Sequence, residues 1–346
     1  MTPPSLLAIA ERVERRVDSL LATELARWSA VDPSLADPIT CLRDLVQGGK
    51  RLRPAFCHWS YVGAGGTDEA LVTDVGAGLE LLHVFALIHD DVMDGSDLRR
   101  GRPTAHRSFD DRHQLEAWRG EARRFGEGVA ILIGDLAFAY ADTLLAPVPP
   151  AARAVWDELR IELNIGQYLD LLGAARGDDD FATTQRISTY KSGKYTVERP
   201  LHLGAALAGR LDELAEPLSR YGLPLGEAFQ LRDDLLGAFG DRSAMGKPVG
   251  DDLREGKSTP LLAIARAQAT GSQADVLADV GSADLDADRL VAIQEALRAT
   301  GAPDLVEERI RVRTDEAIAA AQALDIAPDA RQELVDLATY VAFRDR

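Results

Sequence analysis

The sequence predicts an all-α fold, and three observations carry that prediction. Apolar residues recur at spacings of three and four over long windows. Alanine, the strongest helix former, is abundant. No run of alternating apolar and polar residues reads as a strand. With 346 residues, 46% of them hydrophobic, the chain has ample material for a core, and one many-helix domain over residues 1–346 accommodates it.

Taken in order, Leu6, Ile9, Val13, Val17, Leu20, Leu21, Leu25 and Trp28 form one stripe and predict a first amphipathic helix. Val72, Val75, Ala77, Leu79, Leu82, Phe85, Ala86 and Ile88 belong to a helix that is apolar nearly all round, which implies a central position. The longest apolar stretch, residues 128–146, contains Asp135 and Asp142 and reads as a buried helix, not a membrane span. GLPLGEAFQL (222–231) predicts another helix. So does the stripe Val306, Ile310, Thr314, Ala317, Ala321 and Leu324. Pro, Gly and Asp gather at 31–38, 146–152, 173–181, 240–257 and 281–288, and these are the expected breaks. None is long enough to be an interdomain linker.

The formal charge of −17 excludes nucleic acid and anionic lipid as partners. Cys41 and Cys57 make no metal-ligand spacing and read as reduced thiols of a cytoplasmic protein. The start, MTPPSLLAIAERVERRV, lacks the basic-then-apolar order of a signal peptide, so no stable membrane insertion is expected.

Chemistry concentrates in two acidic clusters and four basic groups. Asp90 and Asp94 are four apart and share a helix face, with Asp91 beside them. Like charges so placed destabilise a helix, and more so at its negative end. A hard cation shared with phosphate oxygens relieves that cost, and Mg²⁺ fits best. The FQLRDD segment repeats the design with Asp233 and Asp234. Two such helix ends facing one another across a cavity would grip a diphosphate through metal from both sides. Lys50 and Arg53 follow two glycines at an expected helix start, a natural anion site. Arg99 and Arg100, Lys191 with the Ser192 hydroxyl, and Lys247 with Lys257 complete the basic set. Taken singly, each reads as a solvated surface charge. Together, in so acidic a chain, they read as a phosphate site. His83 joins them by position, close to two helical turns before Asp90.

GGKRLRP (48–54), His83, DDVMD (90–94), RRGRPTAH (99–106), KS (191–192), FQLRDD (229–234) and GKPVGDDLREGKST (246–259) appear in the order seen in the trans-isoprenyl diphosphate synthases. The chain resembles that polyprenyl synthetase family across roughly residues 40–265, and most resembles its geranylgeranyl diphosphate synthases. The resemblance implies an isoprenoid-synthase-type bundle around a deep central cavity, usually in a homodimer. It implies that Asp90, Asp94 and Asp233, with Asp91 and Asp234 close by, bind Mg²⁺ against an allylic diphosphate. Arg99, Lys191 and Lys247, assisted by Lys257, would hold that diphosphate. Lys50, Arg53, His83 and Arg100 would hold isopentenyl diphosphate, and Ser192 and Gln230 would line the site where the carbocation forms. Phe85, fifth before Asp90, with the small Ala86 fourth, implies a twenty-carbon product.

Three departures accompany the resemblance. Ser192 replaces the usual Thr, and Gly237 replaces a third Asp, which is replaced in many relatives too. The stretch between Lys191 and LGAALAG (203–209) is about one residue longer than in some relatives. The segment 109–127 receives no role. Rival readings are a farnesyl or longer-chain synthase, a class I terpene cyclase, a helical phosphohydrolase built on His89-Asp90, and a non-catalytic partner subunit.

Overall fold

A computed structural model describes residues 3–177, 180–240, 250–282 and 285–343. These residues are helical almost throughout and form two compact units. The N-terminal unit comprises Thr2–His58 and Thr67–Pro149, and the C-terminal unit comprises Trp59–Gly66 and Pro150–Arg346. The all-α expectation holds.

In the N-terminal unit, α1 (Pro4–Ser29) buries Leu6, Ile9, Val13, Val17 and Leu21 on one face, as its stripe predicts. Full burial of each such side chain contributes about 1.5–3 kcal/mol. The central helix is α4 (Glu69–Asp94), packed by α1, α2 (Ala36–Val46) and α6 (Ala122–Leu144). Among the described residues it is the helix apolar and long enough to cross a membrane, with mean hydropathy 1.7, yet most of that window is buried in the protein. Gly78 of α4 lets Leu145 close on it, since an added Cβ would strike the leucine side chain. One expectation needs correcting here. The 128–146 stretch lies in a helix buried on one face only, and Ile131 and Leu132 remain exposed.

The strand-free expectation also needs correction. Leu98–Arg99 pairs antiparallel with Arg102–Pro103 around a turn in which Arg100 and Gly101 both have positive φ. A two-residue turn with both central residues in the left-handed region matches hairpin twist, but strands two residues long leave no periodic signal. Segment 109–127 enters α5 (Ala105–Leu115) and α6, and its turn is pinned by His113, Trp118 and Phe125, whose rings meet edge-on or tilted.

The C-terminal unit begins with α7 (Pro150–Arg176) and α8 (Phe181–Ser188). The chain then widens into a π-helical segment, Thr189–Glu198, and returns to α-helix in α9 (Arg199–Leu207). Its long α10 (Leu211–Phe239) runs through Pro217 and Pro224. Leu231 and Leu235 of α10 join Leu261, Ile293, Leu297, Val306 and Ile310 in one core cluster. The Val306–Ala321 stripe lies on the buried face of the helix Ala302–Gln322.

Candidate active site

In the N-terminal unit, α4 ends at Asp94 with Gly95 in the left-handed conformation as its cap. Asp90, Asp91 and Asp94 therefore stand at the helix's negative end, as the sequence implies. They do not behave alike. Asp91, one residue round the helix, is 3% exposed and takes a forked grip from Arg99, with Nε 2.8 Å from both carboxylate oxygens. Asp90 is half-buried and 3.8 Å from the same guanidinium. Arg99 is thus an ion-pair partner of Asp91.

The GGKRLRP loop departs from expectation. Helix α3 (Leu52–Gly63) starts two residues after Lys50, which therefore stands in the loop, while Arg53 is in the first turn. Gly48, Gly49 and Arg51 all adopt positive φ. Arg51 is held there by a buried ion pair with Glu80 of α4, Nη1 to Oε2 2.5 Å, and donates to Val46 O at 2.6 Å. Removing one partner of such a pair costs about 3–5 kcal/mol. Gly49 admits the Arg100 guanidinium beside the backbone, where an added Cβ would lie 3.2 Å from Nη2. Arg100 donates to Gln47 O at 2.8 Å.

These residues gather around His83. Burial, then Arg53, Arg100, Arg99 and Arg51, hold its pKa well below the usual value, so the imidazole is neutral at neutral pH. Burial and the positive charge of Arg51 and Arg99 likewise lower that of Arg100. A cavity of about 310 Å³ is lined by Arg99, Arg100 and Arg102, by Asp44 and Asp91, and by Gln47, Gly48 and apolar residues of α4. Asp91 balances Arg99, but the Arg100 guanidinium beside the cavity bonds to a neutral carbonyl, and such a cation suits an anion. His89 faces elsewhere: its Nε2 meets Ile131 O at 3.0 Å, in space left by Gly134. That orientation disfavours a His89-Asp90 metal pair. Phe85 packs edge-on against His89 at 4.6 Å and tilted against Phe138 at 4.9 Å, with Ala86 half-buried beside it.

In the C-terminal unit, Asp233 and Asp234 lie near the end of α10. Asp234 is 4% exposed, and Gln230 Nε2 donates to its Oδ1 at 2.8 Å. Its Oδ2 is buried with no hydrogen-bond donor. Burial, then Asp252, Asp233 and Asp170, raise its pKa well above the usual carboxylate range, with the Gln230 bond opposing. Lys191 Nζ is 2.6 Å from Asp170, and Lys257 is 2.9 Å from Glu255 and 3.9 Å from Asp252. Gly237 leaves the space into which the Asp252 carboxylate projects. Sequence reasoning missed Asp170 and Asp252; Asp170 closes GQYLD (166–170) on the face that meets Lys191. Ser192 is half-buried on the π-helical segment. Lys247 lies outside the described residues.

Among the described residues no three acids, histidines or cysteines gather closely enough to hold an ion by themselves. Mg²⁺ does not require that, because it commonly binds through one or two carboxylates plus substrate phosphates. A buried carboxylate oxygen with no donor, beside further acids, suits such an ion.

Known proteins resemble this chain over most of its length. Residues 38–299 match the family described as polyprenyl synthetase. The geranylgeranyl pyrophosphate synthase of Corynebacterium glutamicum, solved with isoprenyl diphosphate and magnesium, superposes with a TM-score of 0.92 at 36% identity, over 97% of this chain and 98% of that one. The geranylfarnesyl diphosphate synthase of Aeropyrum pernix is 34% identical over 78% of this chain and 82% of its own length. The octaprenyl diphosphate synthase of Escherichia coli is 32% identical over 86% and 87%.

Proposed function

The chain belongs to the polyprenyl synthetase family of trans-prenyl diphosphate synthases, and from that premise we propose that it is a Mg²⁺-dependent elongating prenyltransferase making geranylgeranyl diphosphate. It condenses isopentenyl diphosphate with an allylic diphosphate (dimethylallyl, geranyl or farnesyl). The observation that carries the reading is the Asp234 carboxylate, buried among acids with an oxygen that no donor reaches.

Lys50, Arg53 and Arg100 hold isopentenyl diphosphate, with neutral His83 beside them. Lys191 and Lys257 hold the allylic diphosphate, joined by Arg99 and, on the family pattern, Lys247. Asp90, Asp91 and Asp94, and Asp233 with Asp234, would hold Mg²⁺, which would supply Lewis-acid stabilisation to a leaving diphosphate. The allylic C–O bond breaks, the double bond of isopentenyl diphosphate attacks the cation, and the proton leaves to the released diphosphate. No side-chain base is needed. Ser192 and Gln230 line the cation's surroundings, and Gln230 is oriented by its bond to Asp234. The apolar wall of α4 excludes water that would quench the cation.

Phe85, backed by Phe138, stops the growing tail, and Ala86 leaves it room up to that point. This supports geranylgeranyl diphosphate over the longer products that two of the relatives are named for. Exposed apolar residues on α6 (Phe125, Ile131, Leu132) and on α7 (Ile161, Ile165, Tyr168) support a homodimer.

The test is a product profile with isopentenyl diphosphate and each allylic primer, with Mg²⁺ and with chelator. A twenty-carbon diphosphate that disappears with chelator is expected. Allylic diphosphate consumed equally without isopentenyl diphosphate would instead mark a cyclase.

A further inference from the structure

Lys191 and Ser192 ride on a π-helix, and π-turns are rare and cluster at functional sites. Its local cause is visible. Pro200 lacks an N–H and its ring crowds the carbonyl four residues back, so an ordinary helix through Thr196 is obstructed. The Arg199 N–H bonds to Lys194 O, five residues back. A wider helix needs room, and glycines on both neighbours provide it. An added Cβ on Gly166 of α7 would collide with the Lys191 amide nitrogen. On α10, a Cβ at Gly226 would lie 2.7 Å from the Gly193 Cα, and one at Gly222 would lie 2.9 Å from the Glu198 Cα.

Charge then holds the widened helix in place. Glu162, Gly166 and Asp170 are four apart and share one face of α7. Asp170 binds Lys191 at 2.6 Å, one turn beyond Gly166. Glu162, one turn before it, binds Lys194 at 2.6 Å and takes a fork from Arg199 at 2.6 and 2.7 Å. Ser219 of α10 donates to Glu198 Oε1 at 2.6 Å. The Glu162 and Glu198 side chains are 7% and 6% exposed. An ion cluster so buried makes a poor stabiliser unless its geometry serves something, and fixing register is its best-attested use.

We infer that Glu162 and Lys194 are positioning residues: their buried ion pair, with the Gly166 seat, keeps Thr189–Glu198 in its π conformation and thereby aims Lys191 and Ser192 at the reacting diphosphate. This rests on the prenyltransferase reading. No substrate touches Glu162 or Lys194 in this account; they act through Lys191.

Steady-state elongation by the full chain, each substrate varied in turn, tests it. Glu162→Gln is expected to lower kcat at least about tenfold while leaving KM for isopentenyl diphosphate within about twofold. Gly166→Ala should give the same split. Lys194→Arg keeps the cation and should retain most of kcat, whereas Lys194→Met should not. A Glu162→Gln enzyme that keeps the parent kcat and merely melts earlier would overturn the positioning role. Equal losses in Lys194→Arg and Lys194→Met would do the same. Should Glu162→Gln not fold, Lys194→Met is read against the same two outcomes. A parent chain without elongation activity sinks the functional reading and this inference with it. A parent that elongates beside an unaffected Glu162→Gln sinks the inference alone.

Discussion

His83 in the N-terminal unit and Asp234 in the C-terminal unit sit in opposite surroundings. Around His83 stand Arg51, Arg53, Arg99 and Arg100. Around Asp234 stand Asp170, Asp233 and Asp252. In both places burial and like charge push the group toward its neutral form: the imidazole pKa falls and the carboxyl pKa rises. Counter-charges reach the neighbours, Glu80 at Arg51 and Asp91 at Arg99, Lys191 at Asp170 and Lys257 at Asp252, while Arg100 bonds to the neutral Gln47 carbonyl and Asp234 to the neutral Gln230 amide. Folding alone does not favour either arrangement, since like charges brought together destabilise the compact state. On the proposed function each is half of a binding reaction, the first for a diphosphate and the second for a metal ion.

The comparison is broken most severely at Asp234. Asp234→Asn should lower kcat about a thousandfold, since several kcal/mol of leaving-group stabilisation are lost. Its effect on folding should run the other way. Because the folded pKa is raised, Asp234 loses stability as pH climbs above the ordinary carboxylate range, and the neutral amide escapes that loss. The metal-free variant should therefore melt higher than the parent at pH 7. A variant that melts lower would show that the acidic cluster is structural.

Next in size is the basic side. Arg100→Ala removes one charge-assisted contact, worth about 1.5–3 kcal/mol, and should raise KM for isopentenyl diphosphate about 10- to 100-fold with KM for the allylic substrate little changed. Equal rises in both constants would contradict separate sites. A smaller change in rate but a visible change in outcome is expected at Phe85. Phe85→Ala opens the space before Phe138, so chromatography should show products beyond twenty carbons. Unchanged product lengths would remove Phe85 from that role. The smallest effect is the pH dependence of stability from His83. Its folded pKa lies below the unfolded value near 6.5, so the unfolded chain takes up the proton first. Stability is then full above about pH 6.5 and falls below it by at most about 1.4 kcal/mol per pH unit. His83→Gln should flatten that slope in denaturant titrations.

Periodicity made the helices legible because burial on one face imposes a repeat of 3.6 residues. The Leu6–Leu21 and Val306–Ala321 stripes are the buried faces of their helices. The placement of Asp90, Asp94, Asp233 and Asp234 near helix ends was legible for the same reason, since each follows an apolar helical run. Three features were not. The hairpin at 98–103 is too short to carry an alternating pattern. The π-helix has no sequence signal beyond one extra residue and Pro200. Asp170, Asp252 and the Arg51–Glu80 pair act through partners far along the chain, and spacing within one segment cannot reveal them. The forked bond of Arg99 to Asp91 was not legible either, because the two residues lie on either side of the helix end.

The most direct measurement is incorporation of labelled isopentenyl diphosphate into an acid-labile prenyl product, with geranyl diphosphate as primer, in parent and Asp234→Asn chains with Mg²⁺ or chelator. The account predicts incorporation by the parent with Mg²⁺ and close to none in the other three conditions. Incorporation by Asp234→Asn at the parent rate, or by the parent in chelator, would contradict it.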